Sequence, residues 1–310
     1  MRDWLVLACG GGLLALLPLL GDNYLLRLAT ILAMYVVLAQ SWNFIGGLAG
    51  YPSFATAGFF GLGAYTSAIL QGAGAPLYVS WLAGGLSATL FSAMIGGAIL
   101  HLRGHYFAIA SLVTVEVLRE IVNTTPDLTG GGMGLNLPIM RMSIGAHAAF
   151  FYYAMLTLAL VCMAAAILVH RSKLGFGLRC IQQNEDAANI LGVNAYAYKT
   201  AGLAFSAVFT GIAGAIYASW VNYIEPPDVF DVLLSVKPLV MVLLGGLGTI
   251  FGPAIGAFVL LAVEELVWRN FLTIHAAALG LIIVALVLFL PNGLLSLTRA
   301  HLGLGRRRKP

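Results

Sequence analysis

Charge is scarce in this sequence: 9% of its 310 residues are Asp, Glu, Lys or Arg, while 60% are apolar. A soluble domain carries about 25% charged residues and needs them to cover its surface. The deficit runs from end to end, which excludes a water-soluble globule, a disordered chain and a soluble enzyme on a single anchor. Cysteine is rare too. Cys9, Cys162 and Cys180 lie far apart, which argues against a disulfide framework or a thiolate metal centre, and they read as small packing residues. The sequences of familiar chemistry are also missing. Glycine-rich stretches at 130–134 and 245–252 lack the lysine of a phosphate loop, no His-Glu-x-x-His or Gly-x-Ser-x-Gly occurs, and the six histidines are scattered. Neither catalysis nor a bound cofactor or metal is expected of this chain.

What the sequence does have is apolar runs of membrane-crossing length. A bilayer core of about 30 Å takes roughly 20 helical residues to cross. Ten such runs cover 4–20, 28–45, 52–70, 77–100, 106–122, 148–169, 200–220, 232–246, 251–268 and 272–290. They predict an all-α polytopic membrane protein of about ten transmembrane helices. Gly and Pro interrupt the third, eighth and ninth runs, and the eighth is short. The first run follows Arg2, but no small-x-small cleavage pattern comes after it, so it reads as a retained helix.

Lys and Arg in short loops set orientation. The polar segment 170–199 holds Arg171, Lys173, Arg179 and Lys199, and the tail holds Arg299 and the run Arg306, Arg307, Arg308 and Lys309. Both are expected in the cytoplasm, with an even number of spans between them. Counting back places Arg103 and Arg2 inside as well, so both termini are cytoplasmic. The opposite loop 221–231 has Glu225, Asp228 and Asp231 and no basic residue. The basic tail is a topology signal, and no nucleic-acid partner is expected.

Small residues recur at four-residue spacing: Gly84, Ala88, Ser92 and Gly96; Ala207, Gly211, Ala215 and Ser219; Gly248, Gly252 and Gly256. Such stripes let helix backbones approach closely, either within the bundle or between two membrane chains. A weak internal echo relates Gly46-Gly47-Leu48, Ala55 and Phe59 to Gly245-Gly246-Leu247, Ala254 and Phe258.

Ionisable residues inside a membrane are costly and tend to mark function. In the fifth run Glu116 and Glu120 share a helix face, with Arg119 able to pair with either. Three readings are open: a self-neutralised cluster in the bundle interior, a translocation path or gate, and a proton relay. Lys237 is a possible partner across helices, and Glu264 and Glu265 are expected to reach the headgroups near Arg269. Beyond the fifth run, Thr129, Gly130, Gly131 and Gly132 belong to a loop whose amides either cradle a carboxylate or form a simple turn.

The segment 170–199 is the most informative. Glu185-Asp186-Ala187-Ala188 followed by Leu191 and Gly192 predicts a short helix with acids at its positive end and a glycine C-cap. Ala187, Ala188 and Leu191 would give it a smooth apolar face suited to a groove on a partner.

This acidic-Ala-Ala-x-x-x-Gly element resembles the EAA loop of ABC importer permeases, the cytoplasmic coupling helix that docks into the ATP-binding subunit. Asp186 stands where that loop usually has Glu. Further strings resemble the LivM-type permeases of high-affinity branched-chain amino acid importers. They are Phe59-Phe60-Gly61-Leu62-Gly63-Ala64-Tyr65, Tyr106-Phe107-Ala108-Ile109-Ala110, Leu128-Thr129-Gly130-Gly131 with Gly134-Leu135, and Ile212-Ala213-Gly214-Ala215-Ile216-Tyr217. The order continues through Leu244-Gly245-Gly246-Leu247-Gly248-Thr249-Ile250-Phe251-Gly252-Pro253 to Pro291-Asn292-Gly293-Leu294.

The resemblance implies a permease domain over 28–296, preceded by an N-terminal helix and outer loop at 1–27 and followed by a basic cytoplasmic tail at 297–310. It implies a bacterial inner membrane, a second related permease, two ATP-binding subunits that hold ATP and Mg²⁺, and a solute-binding protein outside. Tyr51-Pro52-Ser53 stands where the family often has Gly-His, which leaves urea and short amides open beside leucine, isoleucine and valine. Two other classes are rivals: a self-sufficient secondary transporter using Glu116 and Glu120 as a proton relay, and a membrane enzyme acting on lipid.

Overall fold

A computed structural model describes residues 2–270 and residue 280. Apart from residue 280, the tenth apolar run and the basic tail lie outside these. Among the described residues the chain is all-α but for one two-residue strand pair, and a helix lies over each of the first nine runs. In order these are α1 (Arg2–Ala15), α2 (Asn23–Trp42), α3 (Thr56–Gly72), α4 (Leu77–Ile99) and α5 (His105–Asn123). A short α6 (Pro126–Thr129) and strand β1 (Leu135–Asn136) precede α7 (Ile144–Arg171). Then come α8 (Lys173–Gln183), α9 (Glu185–Ile190), α10 (Ala195–Val221), strand β2 (Tyr223–Ile224), α11 (Pro226–Val229), α12 (Leu233–Gly245) and α13 (Gly252–Asn270). Four segments, Asn23–Gly47, Leu77–Ile99, Ile144–Arg171 and Ala195–Val221, are each long and apolar enough to cross a membrane. The protein is a multi-pass membrane protein.

Side chains cap several helix starts. Asp22, Ser143, Ser172, Asn184 and Asn194 each accept a backbone N–H from the first turn of α2, α7, α8, α9 and α10. Helix α8 was not expected from the sequence, where its Gly175 and Gly177 weaken the helical signal.

The third run is regular only from Thr56. Pro52 interrupts it, and residues 51–55 thread through the bundle without helix. Backbone groups at that depth need partners. Ser111 of α5 donates to Ala108 O at 2.7 Å and accepts the Phe54 N–H at 2.9 Å, while Ser235 of α12 donates to Phe54 O at 2.6 Å and accepts the Ala57 N–H at 2.9 Å.

Helices α3, α4 and α10 share the most extensive contact. A Cβ on Gly63 would lie 2.0 Å from Gly211 O, one on Gly214 2.0 Å from Phe60 O, and one on Gly84 2.7 Å from Gly63 O. The first two small-residue stripes therefore serve packing inside the bundle. The third does the same between α12 and α13, where a Cβ on Gly256 would meet Met241 O at 1.8 Å. The two halves of the internal echo touch, since a Cβ on Gly248 would meet Gly47 O at 2.8 Å. Just before the first half, Asn43 donates to Thr249 O at 2.9 Å and accepts from Gly248 N at 3.0 Å.

The loops sort to two ends. Arg171–Asp3 at 2.6 Å, His170–Gly248 O at 2.7 Å, Gln182–Gly47 O at 3.2 Å and Arg103–Asp186 at 2.7 Å gather one set. At the opposite end β1 pairs antiparallel with β2, Leu135 opposite Ile224 and Asn136 opposite Tyr223. Of the loops that the charge count put on one side of the membrane, the described ones, the N-terminus with Asp3, the loop with Arg103 and the segment 170–199, gather at the Asp3 end.

Candidate functional site: the α9 platform

Helix α9 starts on Asn184, whose Oδ1 accepts the Ala187 N–H at 3.0 Å. It ends with Gly192 N–H donating to Asn189 O and Val193 N–H to Ala188 O, each at 3.0 Å. Gly192 has φ +88°, a left-handed conformation that a Cβ would penalise, so the glycine expected at the C-cap does stand just past the helix.

An ionic network grips the N-terminal turn. Lys199 of α10 is only 2% exposed, and its Nζ donates to Glu185 Oε1 at 2.8 Å, Leu100 O at 2.8 Å and Tyr51 Oη at 3.1 Å. Tyr51 OH donates to the other oxygen of Glu185. Arg103, in the α4–α5 loop, makes a bidentate contact with Asp186 at 2.7 and 3.1 Å, and its Nε lies 3.7 Å from Glu185. Burial pushes the Glu185 carboxyl up, but Lys199, Tyr51 and Arg103 outweigh it and hold the group below the usual carboxylate range. The Arg103 guanidinium does the same for Asp186. Burial and the neighbouring Glu185 push the Tyr51 phenol up, so it stays a donor.

Two expectations need correction. Ala188 is 3% exposed and packs into the bundle, so it is not part of a docking face. Lys199, counted as a surface topology charge, is buried and paired. The face that α9 presents is Ala187 with Ile190 and Leu191, the latter two 87% and 81% exposed. Ile190 was missed. The signal was available, since two large apolar residues side by side at the end of a polar loop helix have no interior to fill.

The α5 cluster lies elsewhere. Arg119 Nη1 contacts Glu116 at 3.3 Å, and Glu116 and Glu120 are exposed on the face that also carries Ile109, Val113, Val117 and Ile121. A cluster in the bundle interior is therefore not what the sequence forms. Lys237 is not its partner: Lys237 pairs with Glu264 at 2.7 Å between α12 and α13, with its Nζ 5.5 Å from the Tyr35 ring centre. Glu264 is thus held inside, while Glu265 accepts from Tyr24 OH.

The loop after α5 is built rather than slack. Thr129 is buried and donates to Val122 O and Thr125 O while accepting from Gly131 N. The amides of Gly130, Met133 and Gly134 bond to Pro126 O, Gly130 O and Gly131 O. These groups serve the loop's own fold, which removes most of the expected carboxylate cradle. Gly134, at φ +69°, lies so close to β2 that a Cβ would be 2.1 Å from Ile224 O. Among the described residues no group of three His, Cys, Asp or Glu is placed to hold a metal ion.

Residues 24–291 match the family described as the permease component of branched-chain amino acid transport systems. The chain belongs to that permease family. It is 26% identical to the high-affinity branched-chain amino acid transport permease LivM of Escherichia coli K12, over 93% of this chain and 73% of the relative. The LivM of Salmonella typhimurium LT2 is 27% identical over 89% of this chain and 71% of the relative. LivH of Escherichia coli K12 is 22% identical over 86% of this chain and 92% of the relative. No solved structure matches the chain. This permease is a LivM-type transport subunit of an ABC importer and not an enzyme.

Proposed function

We propose that the permease carries leucine, isoleucine and valine across a bacterial inner membrane as one half of a translocation path completed by a second, related permease. Two ATP-binding subunits dock at the Asp3 end, which faces the cytoplasm, and a solute-binding protein docks at the β1–β2 end. ATP and Mg²⁺ belong to the docked subunits. The observation that carries this reading is α9 itself: a six-residue helix fixed at one end and presenting Ile190 and Leu191 to solvent at the other. A self-sufficient transporter has no use for such a platform. On α5, the exposed Glu116 and Glu120 and the half-buried Arg119 line the path or its gate, with Thr129 and the glycines 130–132 above them.

The decisive variant is Leu191→Asp, alone and with Ile190→Asp. Both side chains are exposed, so the bundle should reach the membrane at normal levels. Co-purification of the ATPase and leucine uptake should fall together by about tenfold or more, as for a buried interface anchor lost to a charge. Normal ATPase binding and normal uptake would sink the docking reading in favour of a secondary transporter. Competition of leucine uptake by valine, urea and acetamide assigns the solute, and inhibition only by the amides would redirect it.

Ten spans with both termini in the cytoplasm make a separate prediction. In a chain with Cys9, Cys162 and Cys180 replaced by Ala, Ser172→Cys should react only with membrane-permeant maleimides and Asp228→Cys with impermeant ones. Both positions are exposed. Outside labelling of Ser172→Cys would invert the orientation.

A further inference from the structure

We propose that Glu185 and Asp186 are internal struts of the permease and not contacts for the ATPase. They fasten α9 to the α2–α3 loop, the α4–α5 loop and α10, so that a push on Ile190 and Leu191 moves all of these as one body. Arg103, Lys199 and Tyr51 are then positioning residues for coupling. This rests on the docking reading above and assigns its charged half a different job from its apolar half.

The hydrogen-bond capacities support the assignment. An ammonium has three protons to donate, and those of Lys199 have three acceptors: Glu185, Leu100 O and Tyr51. Both oxygens of Glu185 are engaged, one by Lys199 and one by Tyr51. Both oxygens of Asp186 meet the two ends of the Arg103 fork. Drawing Glu185 out to meet another protein would strand the Lys199 ammonium, 2% exposed, without its counter-charge. Breaking a buried pair in that way costs far more than a surface contact returns. Ile190 and Leu191 carry no such tie and stand free for a groove.

The strut joins parts far apart in sequence. Arg103 and Asp186 are 83 residues apart, Tyr51 and Glu185 134, and Lys199 and Leu100 99. One small helix therefore holds the inner ends of α4, α5 and α10 and the entry to α3.

The exposed pair Arg103 and Asp186 permits a test without disturbing buried charge. Arg103→Ala, Asp186→Ala and the double variant are compared in the full complex for membrane level, ATPase co-purification and leucine moved per ATP hydrolysed. All three should keep normal membrane levels and bound ATPase. Each single variant should lower the leucine moved per ATP by about threefold or more, and the double variant should be no worse than the singles, as for two residues acting through one contact. In the background free of Cys9, Cys162 and Cys180, Arg103→Cys with Asp186→Cys should show the same loss, and a short bis-maleimide bridging the two should restore coupling. Loss of ATPase binding in Asp186→Ala but not in Arg103→Ala would overturn the proposal by making Asp186 an ATPase contact. So would arrest of uptake by the cross-link, or wild-type coupling in both single variants. Failure of docking itself is read separately, from retained ATPase in Leu191→Asp.

Discussion

Gly63→Val should leave little folded permease in the membrane. Even the first carbon of a side chain at Gly63 would sit 2.0 Å from Gly211 O, and its next neighbours there are also backbone atoms. No rotamer relieves a clash with backbone, so α3 and α10 would have to separate. Their contact includes the reciprocal approach of Gly214 to Phe60 O, which would be lost in the same movement. Overpacking of a core by side chains costs about 1–3 kcal/mol, and a main-chain clash belongs at or above the top of that range. Against the marginal stability of most folds, that is enough to expose the protein to degradation. Gly72→Ala is the control on the same helix, because nothing lies within 4 Å of a Cβ there. Membrane levels by quantitative blotting should drop several-fold for Gly63→Val and stay unchanged for Gly72→Ala. Equal levels would mean that α3 and α10 do not meet as described.

Lys237→Met should be nearly as damaging, and its partner variant should repair it. Lys237 and Glu264 are paired at 2.7 Å in an apolar setting, and Glu264 Oε2 is buried with no hydrogen-bond partner among the described residues. Removing the ammonium leaves a carboxylate with neither counter-charge nor donor. Breaking a fully buried pair from one side costs about 3–5 kcal/mol, whereas replacing both members by apolar groups is often close to neutral. This half-buried pair, 20% and 22% exposed, belongs at or below the bottom of that range. Lys237→Met should therefore lower the amount of folded permease, and Lys237→Met with Glu264→Met should recover it. The recovered protein also shows whether the pair serves transport. Wild-type uptake assigns it to the joint between α12 and α13 alone. A folded but inactive double variant would place the pair in the translocation step.

Much of the architecture was legible because it depends on properties local in sequence. Run length located nine helices, Pro52 explained the broken third run, and the spacing of small residues picked out the closest helix contacts. The acidic-Ala-Ala-x-x-x-Gly element also yielded a short helix with a glycine stop. Which way a face points was not legible. Helical spacing shows that Glu116 and Glu120 share a side of α5, but the choice between bundle and outside depends on neighbours distant in sequence. The same holds for Ala188, which looked like a docking residue and proved to be packing, with Ile190 and Leu191 beside it doing the reaching. Lys199 was misjudged for a related reason. A lysine at the edge of a polar loop reads as a solvated charge until Tyr51, Leu100 and Glu185, remote from one another in sequence, are found around it. Helix α8 escaped notice because its glycines and basic residues read as loop.

Helix α10 gives this arrangement a mechanical property. It is one uninterrupted rod of 27 residues, about 40 Å at 1.5 Å per residue. Lys199 lies near one end, Asn222 leads from the other into β2, and Gly211 sits against α3 and α4 between them. The distances along the axis from Gly211 are about 18 Å to Lys199 and about 16 Å to Asn222. The rod is also tied near both tips, by Lys199 to Leu100 O at 2.8 Å and by Ser219, which accepts from Gln71 of α3 and Trp81 of α4. The three helices therefore tilt together, and any tilt swings the two tips in opposite directions by similar amounts. A single rotation of that unit moves its two ends oppositely, narrowing the space beside one as it widens the space beside the other.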